Sequence, residues 1–356
     1  MNRLDRYFFA ELIRSTSMVL LAFAALYILL TVLDEQSDLR YGNQWGTVAM
    51  VVAYTLPTKL YEIAPIIILI AWMLAIGGLS ARSELTAMLA SGISMRGLMI
   101  SMSKTLLISL AFFVALGEWL GPIANTQGQN LKNQALGVKV MDDGKGLWMK
   151  SGNTFLLVDK AFADGRLVGA QLFIEKNGRL ERMIEADTLV FEKNQWVATQ
   201  AYEKRYQTEF WPNVQVEQKQ YEQAPIQLDL SPDLFKSALS QPQDMSVLEL
   251  WDYVHFMRSN GLYSGMYEYA LWKKFMMPLT VIGLLLWVFP MLLGSMRHVS
   301  VGQKVFVGVL VGLVFFLVDK ILVNVTLAYQ LPALLGVSVL PVLLLVWAMI
   351  RLKHSN

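Results

Sequence analysis

Apolar residues run along this chain in six long stretches, three before and three after a polar block from about Leu131 to Tyr267. A bilayer core about 30 Å thick takes about 20 apolar residues as helix. Ser17–Leu33, Ile63–Leu79, Leu98–Leu120, Tyr269–Phe289, Val299–Val323 and Leu331–Ile350 each approach that length. The pattern predicts a membrane α-helical protein with six transmembrane helices, 3+3, around a soluble insert. Arg3, Arg6 and Arg14 precede the first stretch as they would in a signal peptide. That stretch is too long, however, and meets Asp34-Glu35 without a small-residue cleavage site, so it reads as a retained anchor.

Inside the polar block the period changes from helical to alternating. Thr154–Val158, Gln171–Glu175, Arg182–Ile184, Thr188–Glu192, Trp196–Gln200, Lys204–Phe210 and Gln215–Tyr221 are short runs bounded by turn formers. Asn177-Gly178 between two of them is a strong hairpin signal. Closely spaced strands without intervening helices predict an all-β unit, whether sandwich, barrel or jellyroll. Ser246–Asn260 is predicted helical, with Ser246 as N-cap and Glu249 at the capping-box position. The chain thus divides into helices 1–3 (1–130, with a short helix at 80–95), a β unit (131–245), a connecting helix and linker (246–268) and helices 4–6 (269–356).

Short-loop Lys and Arg fix an orientation. Arg3, Arg6, Arg14, Arg82, Arg96, Arg297, Lys304, Arg351 and Lys353 fall on one side. The other side has Asp34, Glu35 and Asp38 against Arg40, and an uncharged Asn324–Gln330. Both termini are expected in the cytoplasm and the insert outside. Only 16% of residues are charged and the net charge is +2, which points away from nucleic acid. Cys is absent, the three histidines are scattered, and Asp143-Gly144-Lys145-Gly146 lacks phosphate-loop spacing. No metal, cofactor or nucleotide site is expected, so any energy must come from a partner or an ion gradient.

A few residues could carry chemistry. Ser83, Glu84, Leu85, Met88 and Leu89, ended by Gly92, make a short amphipathic helix in the loop after the second span. It is either an interfacial connector or a docking helix whose apolar face enters a partner's groove, with Glu84 as the oriented charge. Asp319 and Lys320, near the outer end of the fifth span, either snorkel or face a cavity. Gly308 and Gly312 on the same helix permit close helix approach. Lys273 and Lys274, beside Trp272, are read as opening the fourth helix, either as anchors or as contacts for anionic head groups. Glu118-Trp119 followed by Gly121-Pro122 reads as the end of the third helix, with Lys132 just beyond. Pro65 and Pro278 are candidate kinks.

Leu4-Asp5-Arg6-Tyr7, Arg82-Ser83-Glu84-Leu85, Ala90-Ser91-Gly92, Gly117-Glu118-Trp119 and the pattern of Trp272, Lys274 and Pro278 resemble the LptF/LptG permease family over essentially the whole chain. The resemblance implies an inner-membrane subunit with six helices and an inserted periplasmic β-jellyroll-like domain. It implies pairing with an LptF-like permease above two copies of an LptB-like ATPase, which would use the ATP. An LptC-like single-helix protein and a periplasmic LptA-like jellyroll are the further partners, and lipopolysaccharide the cargo. Ser80–Met95 would be the coupling helix, with Arg82, Ser83, Glu84, Leu85 and Met88 as its coupling residues. The first and fifth helices would form lateral gates. The family's lysine late in the first helix is Thr31 here, and its two arginines after the third helix are Gln129 and Lys132. Lys132, Arg40 and Lys274 would then share phosphate contact; Asp34 matches the family's acidic residue after the first helix, as a lipid contact or a local cap, and Thr31, Asp319 and Lys320 complete the candidate lipid-contact set. Two other classes remain: a signal-relaying scaffold that passes no cargo, and a membrane hydrolase, for which Asp319, Lys320 and Glu118 make a sparse set.

Overall fold

The computed structural model describes residues 3–39, 45–136, 146–162, 165–192, 194–207, 215–228, 230–293 and 300–354. Its helices are α1 (Arg3–Leu39), α2 (Trp45–Glu62), α3 (Ala64–Ala81), α4 (Glu84–Ala90), α5 (Met95–Ala115), α6 (Gly121–Leu136), α7 (Pro232–Leu239), α8 (Val247–Ser259), α9 (Gly265–Leu293), α10 (Val301–Ala328) and α11 (Ala333–His354). Six helical segments are long and apolar enough to cross a membrane: Arg3–Leu33, Ala64–Ala81, Gly97–Lys132, Gly265–Phe289, Val305–Ala328 and Ala333–Ile350. They match the six expected spans. The most enclosed is α3, whose Ile67, Leu69, Ala71 and Met73 are buried among α1, α9 and α10. Gly308 and Gly312 let α10 close on α3: a methyl at either would meet Met73 Sδ at 2.9 Å or Ile66 Cγ2 at 2.7 Å.

Several helix boundaries differ from those expected, two of them beside the junction of bundle and sheet. The connection before α3 contains α2, an 18-residue helix whose Val48, Val51, Val52 and Thr55 form a buried stripe. Its helical period is hidden because the residues between, Ala49, Met50, Ala53 and Tyr54, are not polar enough to mark an outer face. The third span does not end at Trp119. A π-helical turn, Leu116–Leu120, carries the chain into α6. The wider turn accommodates Pro122, whose ring and missing N–H interrupt the ordinary i→i−4 ladder at this point of a continuous helix. Gly117 is required there, since a Cβ would lie 2.3 Å from the Tyr61 ring of α2. Pro65, in the first turn of α3, marks the break from α2 at Ile63.

The insert is a six-stranded antiparallel sheet in chain order: β1 (Leu147–Ser151), β2 (Thr154–Ala161), β3 (Leu167–Lys176), β4 (Arg179–Glu192), β5 (Gln195–Gln207) and β6 (Gln215–Ile226). Asn177 and Gly178, both at positive φ, turn β3 into β4 where the sequence placed a hairpin. Arg182–Ile184 and Thr188–Glu192, expected as two strands, are one strand, as are Trp196–Gln200 and Lys204–Gln207; positions 208–210 lie outside the described residues. β1 was not anticipated.

The merging has a physical cause. Asp159, Gly169, Asp187, Gln200 and Glu222 drop out of the ladder at matching positions in β2 to β6, without any shift of register. Gly169 and Gln200 take φ of 67° and 50° there. Across this crease the buried face changes parity. Leu156 and Val158 are followed by Ala161, Leu172 and Ala170 by Leu167, and Ile184 and Ala186 by Leu189. Each strand therefore keeps its apolar side inward while bending, and the sheet closes around one core with α7 and α8. Trp196 is sealed in that core, and its indole N–H donates to the Leu230 carbonyl at 2.8 Å.

The same face carries one buried carboxylate, Glu203. It accepts from Arg205 Nε at 2.8 Å and from the Tyr221 hydroxyl at 3.1 Å, with Arg182 at 3.6 Å. Burial alone would raise its pKa, but these hydrogen bonds and the two guanidinium charges outweigh that and hold it below its ordinary value. Its stabilising contribution is therefore complete above the ordinary glutamate range and is lost as pH falls through the folded-state value. Glu203→Gln should be less stable than the parent at neutral pH, with the gap narrowing in acid. Denaturant unfolding of the full chain followed by near-UV dichroism across that pH range checks this; a gap that does not narrow refutes it.

Candidate functional site

Charged side chains from five elements meet where the sheet joins the bundle. Lys274 of α9 bonds Glu118 of the π turn at 2.7 Å, and the second Glu118 oxygen accepts the Val247 backbone N–H of α8 at 2.7 Å. The Lys274 side chain is only 7% exposed and its ammonium lies 5.3 Å from the centre of the Tyr61 ring. Beside this pair, Lys273 bonds Asp319 of α10 at 2.6 Å and Lys320 approaches Glu62 of α2 at 3.7 Å. Lys59 reaches Glu62 at 3.5 Å and Asp244 at 3.6 Å. Burial pushes the Asp244 carboxyl above its ordinary value despite the pull of Lys59. Among these described contacts each lysine has a carboxylate, so the layer is formally neutral.

Below it opens a cleft of ≈ 180 Å³ between α3, α9, α10 and α11. Ile66, Met277, Phe315, Val337 and Leu340 line it, and Lys273, Asp319, Lys320 and Glu62 stand at its rim. An apolar slot under cations already held by carboxylates suits an acyl chain below an anionic head group. Such a group would bind by displacing Asp319 or Glu62 from its lysine.

The opposite end holds a second cluster. Ser83 at φ 59° turns the chain out of α3, and α4 follows for two turns. The helix ends in a Schellman arrangement, with Gly92 N–H to the Leu89 carbonyl at 3.1 Å and Ile93 N–H to that of Met88 at 3.2 Å. Arg82 bridges Glu84 of α4 at 2.7 Å and Glu11 of α1 at 2.8 Å, and the Tyr7 hydroxyl of α1 donates to Glu84. Lys104 of α5 pairs with Asp5 of α1 at 3.1 Å. Leu85 is buried against the bundle core and Met88 packs beside it, whereas Leu89 faces out. The apolar face expected to enter a partner is thus largely spent on this chain's own bundle. The outward surface is Leu89, Ala87 and Ala90, edged by the Glu84–Arg82 pair.

The sequence profile described as lipopolysaccharide export system permease LptF/LptG matches residues 6–354. The chain belongs to the LptF/LptG family. A relative from Escherichia coli K12, named lipopolysaccharide export system permease protein LptG, is 28% identical with 98% of each chain covered. The LptG of Haemophilus influenzae Rd is 23% identical with 99% of each chain covered.

For a member of the LptF/LptG family, the expected lipid-contact residues divide sharply. Lys274, Asp319 and Lys320 are brought together at the cleft. Lys273 and Lys274 do not open the fourth helix but lie more than two turns inside α9, which begins at Gly265. Thr31 is on α1, near the level where the Tyr27 hydroxyl meets Thr55 Oγ1 at 2.9 Å. Lys132 lies in α6, 14 residues beyond Glu118 (132 − 118), or about 21 Å along the helix. Asp34 is helical in α1, its side chain outside the description, and Arg40 lies outside the described residues. Sequence reasoning missed Lys59, Tyr61, Glu62 and Asp244. A usable signal was Lys59 and Glu62, charges at i,i+3 placed directly before an apolar span.

Proposed function

We propose that this chain is an LptG-type, non-catalytic transmembrane subunit of an ATP-driven exporter. It extracts lipopolysaccharide from the inner membrane and passes it to a periplasmic jellyroll bridge. An LptF-like permease pairs with it, two LptB-like ATPase subunits supply the hydrolysis, and an LptC-like single-helix protein and an LptA-like jellyroll complete the route. The termini and α4 are cytoplasmic and the sheet periplasmic, as the short-loop lysines and arginines favour.

The observation that carries this reading is the ion-pair clamp of Tyr7, Glu11, Arg82 and Glu84, which joins α4 to α1 at the cytoplasmic end. A seven-residue helix is too short to hold itself. Bound in this way, a push on α4 from below is delivered to α1 as well as to α3. At the far end of the same bundle lies the cleft with its displaceable carboxylates. Nucleotide-driven movement of α4 would narrow the bundle and press lipid toward the sheet.

Glu84→Arg places a second guanidinium beside Arg82 and releases Tyr7. At this half-exposed site the like-charge contact itself costs little, but the clamp that ties α4 to α1 is lost, so lipopolysaccharide export should fall clearly while the fold persists. Export would be followed in cells and in proteoliposomes, with the thermal unfolding of the purified subunit measured alongside. Unimpaired export by a correctly folded variant would sink the coupling role of α4.

A further inference from the structure

Helix α8 stands antiparallel to the first turns of α9. Arg258 bonds Glu268 at 2.7 Å and the Tyr253 ring meets Tyr267 at 4.5 Å. At the other end the Val247 N–H reaches Glu118, which also holds Lys274. The start of α8 therefore lies level with the charged layer. Its end lies higher, where the side-chain Oδ1 of Asn260 accepts the Gly152 N–H at 2.6 Å. From Lys274 to Leu293, α9 runs 19 residues (293 − 274), about 28 Å, which is close to the thickness of a bilayer's apolar core. The foot of α8 is thus at the height where that core gives way to head groups.

One face of α8 is uncovered, and its polarity changes along the axis. Leu248 is 76% exposed and Trp251 59%, whereas Asp252, His255 and Arg258, exposed on the same face, follow above them. A helix that docks lengthwise into a protein groove carries apolar anchors at i, i+3 and i+7. Here the apolar run stops after one turn, as it does when only the foot leaves water. Trp119, next to Glu118 on the π turn, is 75% exposed as well. Trp pairs a large apolar body with one N–H donor and is enriched at the boundary between head groups and chains.

We propose that the foot of α8 is seated in the lipid head-group boundary of the leaflet on the sheet's side, through Leu248 and Trp251, with Trp119 as a neighbouring anchor. The sheet then rests on the bilayer as well as on the bundle, and its height above the membrane is set by α8. This contact does not depend on which lipid is exported.

Because the chain lacks Cys, single labels can be placed cleanly. Leu248→Cys, Trp251→Cys and His255→Cys would carry the environment-sensitive fluorophore NBD. Each full-length chain would be reconstituted into phosphatidylethanolamine/phosphatidylglycerol nanodiscs doped with nitroxide lipids. Labels at 248 and 251 should show blue-shifted emission, quenched more by a head-group nitroxide than by one deep in the acyl chain; the label at 255 should show neither. Emission at 248 and 251 matching that at 255, with free access to iodide, would overturn the proposal. So would blue-shifted emission that no nitroxide lipid quenches, since a protein surface would then cover the foot.

Discussion

Glu118→Gln should destabilise the protein by about 3–5 kcal/mol, the cost of breaking a buried ion pair from one side. Lys274 would lose its counter-charge while remaining nine-tenths buried beside the Tyr61 ring, and the single amide oxygen of Gln could serve either Lys274 or the Val247 N–H but not both. The variant also weakens the acceptor of the Val247 N–H, and with it the seating of α8. Removing both charges in Glu118→Gln/Lys274→Met should recover much of the loss, because no uncompensated charge remains. A double-mutant cycle by thermal unfolding in detergent measures the coupling. A double variant as damaged as the sum of the singles would show that the two side chains act independently.

Trp196→Ala is the second large effect. The side chain is sealed in the core that the sheet shares with α7 and α8, and truncating a core Trp costs about 3–5 kcal/mol. The Leu230 carbonyl also loses its donor. Trp196→Phe, which keeps most of the apolar volume, should cost less, on the order of 1–3 kcal/mol from the unsatisfied carbonyl. Limited proteolysis of the full chain should show the insert cut first in Trp196→Ala, while the spans persist. Equal protease resistance of parent and Trp196→Ala would mean that this Trp is not what holds the sheet to its helices.

The spans were legible because lipid demands an unbroken apolar run, and such a run leaves little ambiguity. The capping box of Ser246 and Glu249 and the Asn177-Gly178 hairpin were legible because both are local chemistry, decided within four residues. The length of the strands was not. Asp187 looks like a turn residue and Gln200 like a strand's last residue, yet their meaning lies in the neighbouring strands, where Asp159, Gly169 and Glu222 repeat the interruption. The site shows the same limit. Glu118 and Lys274 were each noticed, but 156 residues separate them and nothing local pairs them. Lys132 stands about 21 Å along the helix from Glu118, a separation that no local pattern announces. The inward turn of Leu85 and Met88 was equally hidden, because an amphipathic period states that a face is covered and not by what.

The crease across the sheet also acts as a frame marker while the insert assembles. A flat strand that zips one residue out of step still makes a full set of ladder bonds and errs only in which face it buries. Here a slipped strand would bring its interruption opposite a regular pair, with Asp159 or Glu222 facing a position that expects bonding. It would also invert the apolar side on both halves together. Each strand added is thereby checked against the one before it. A stray strand meeting the exposed length of β6 would need the same kink at the same place, which leaves this edge a poor template for any sequence but its own.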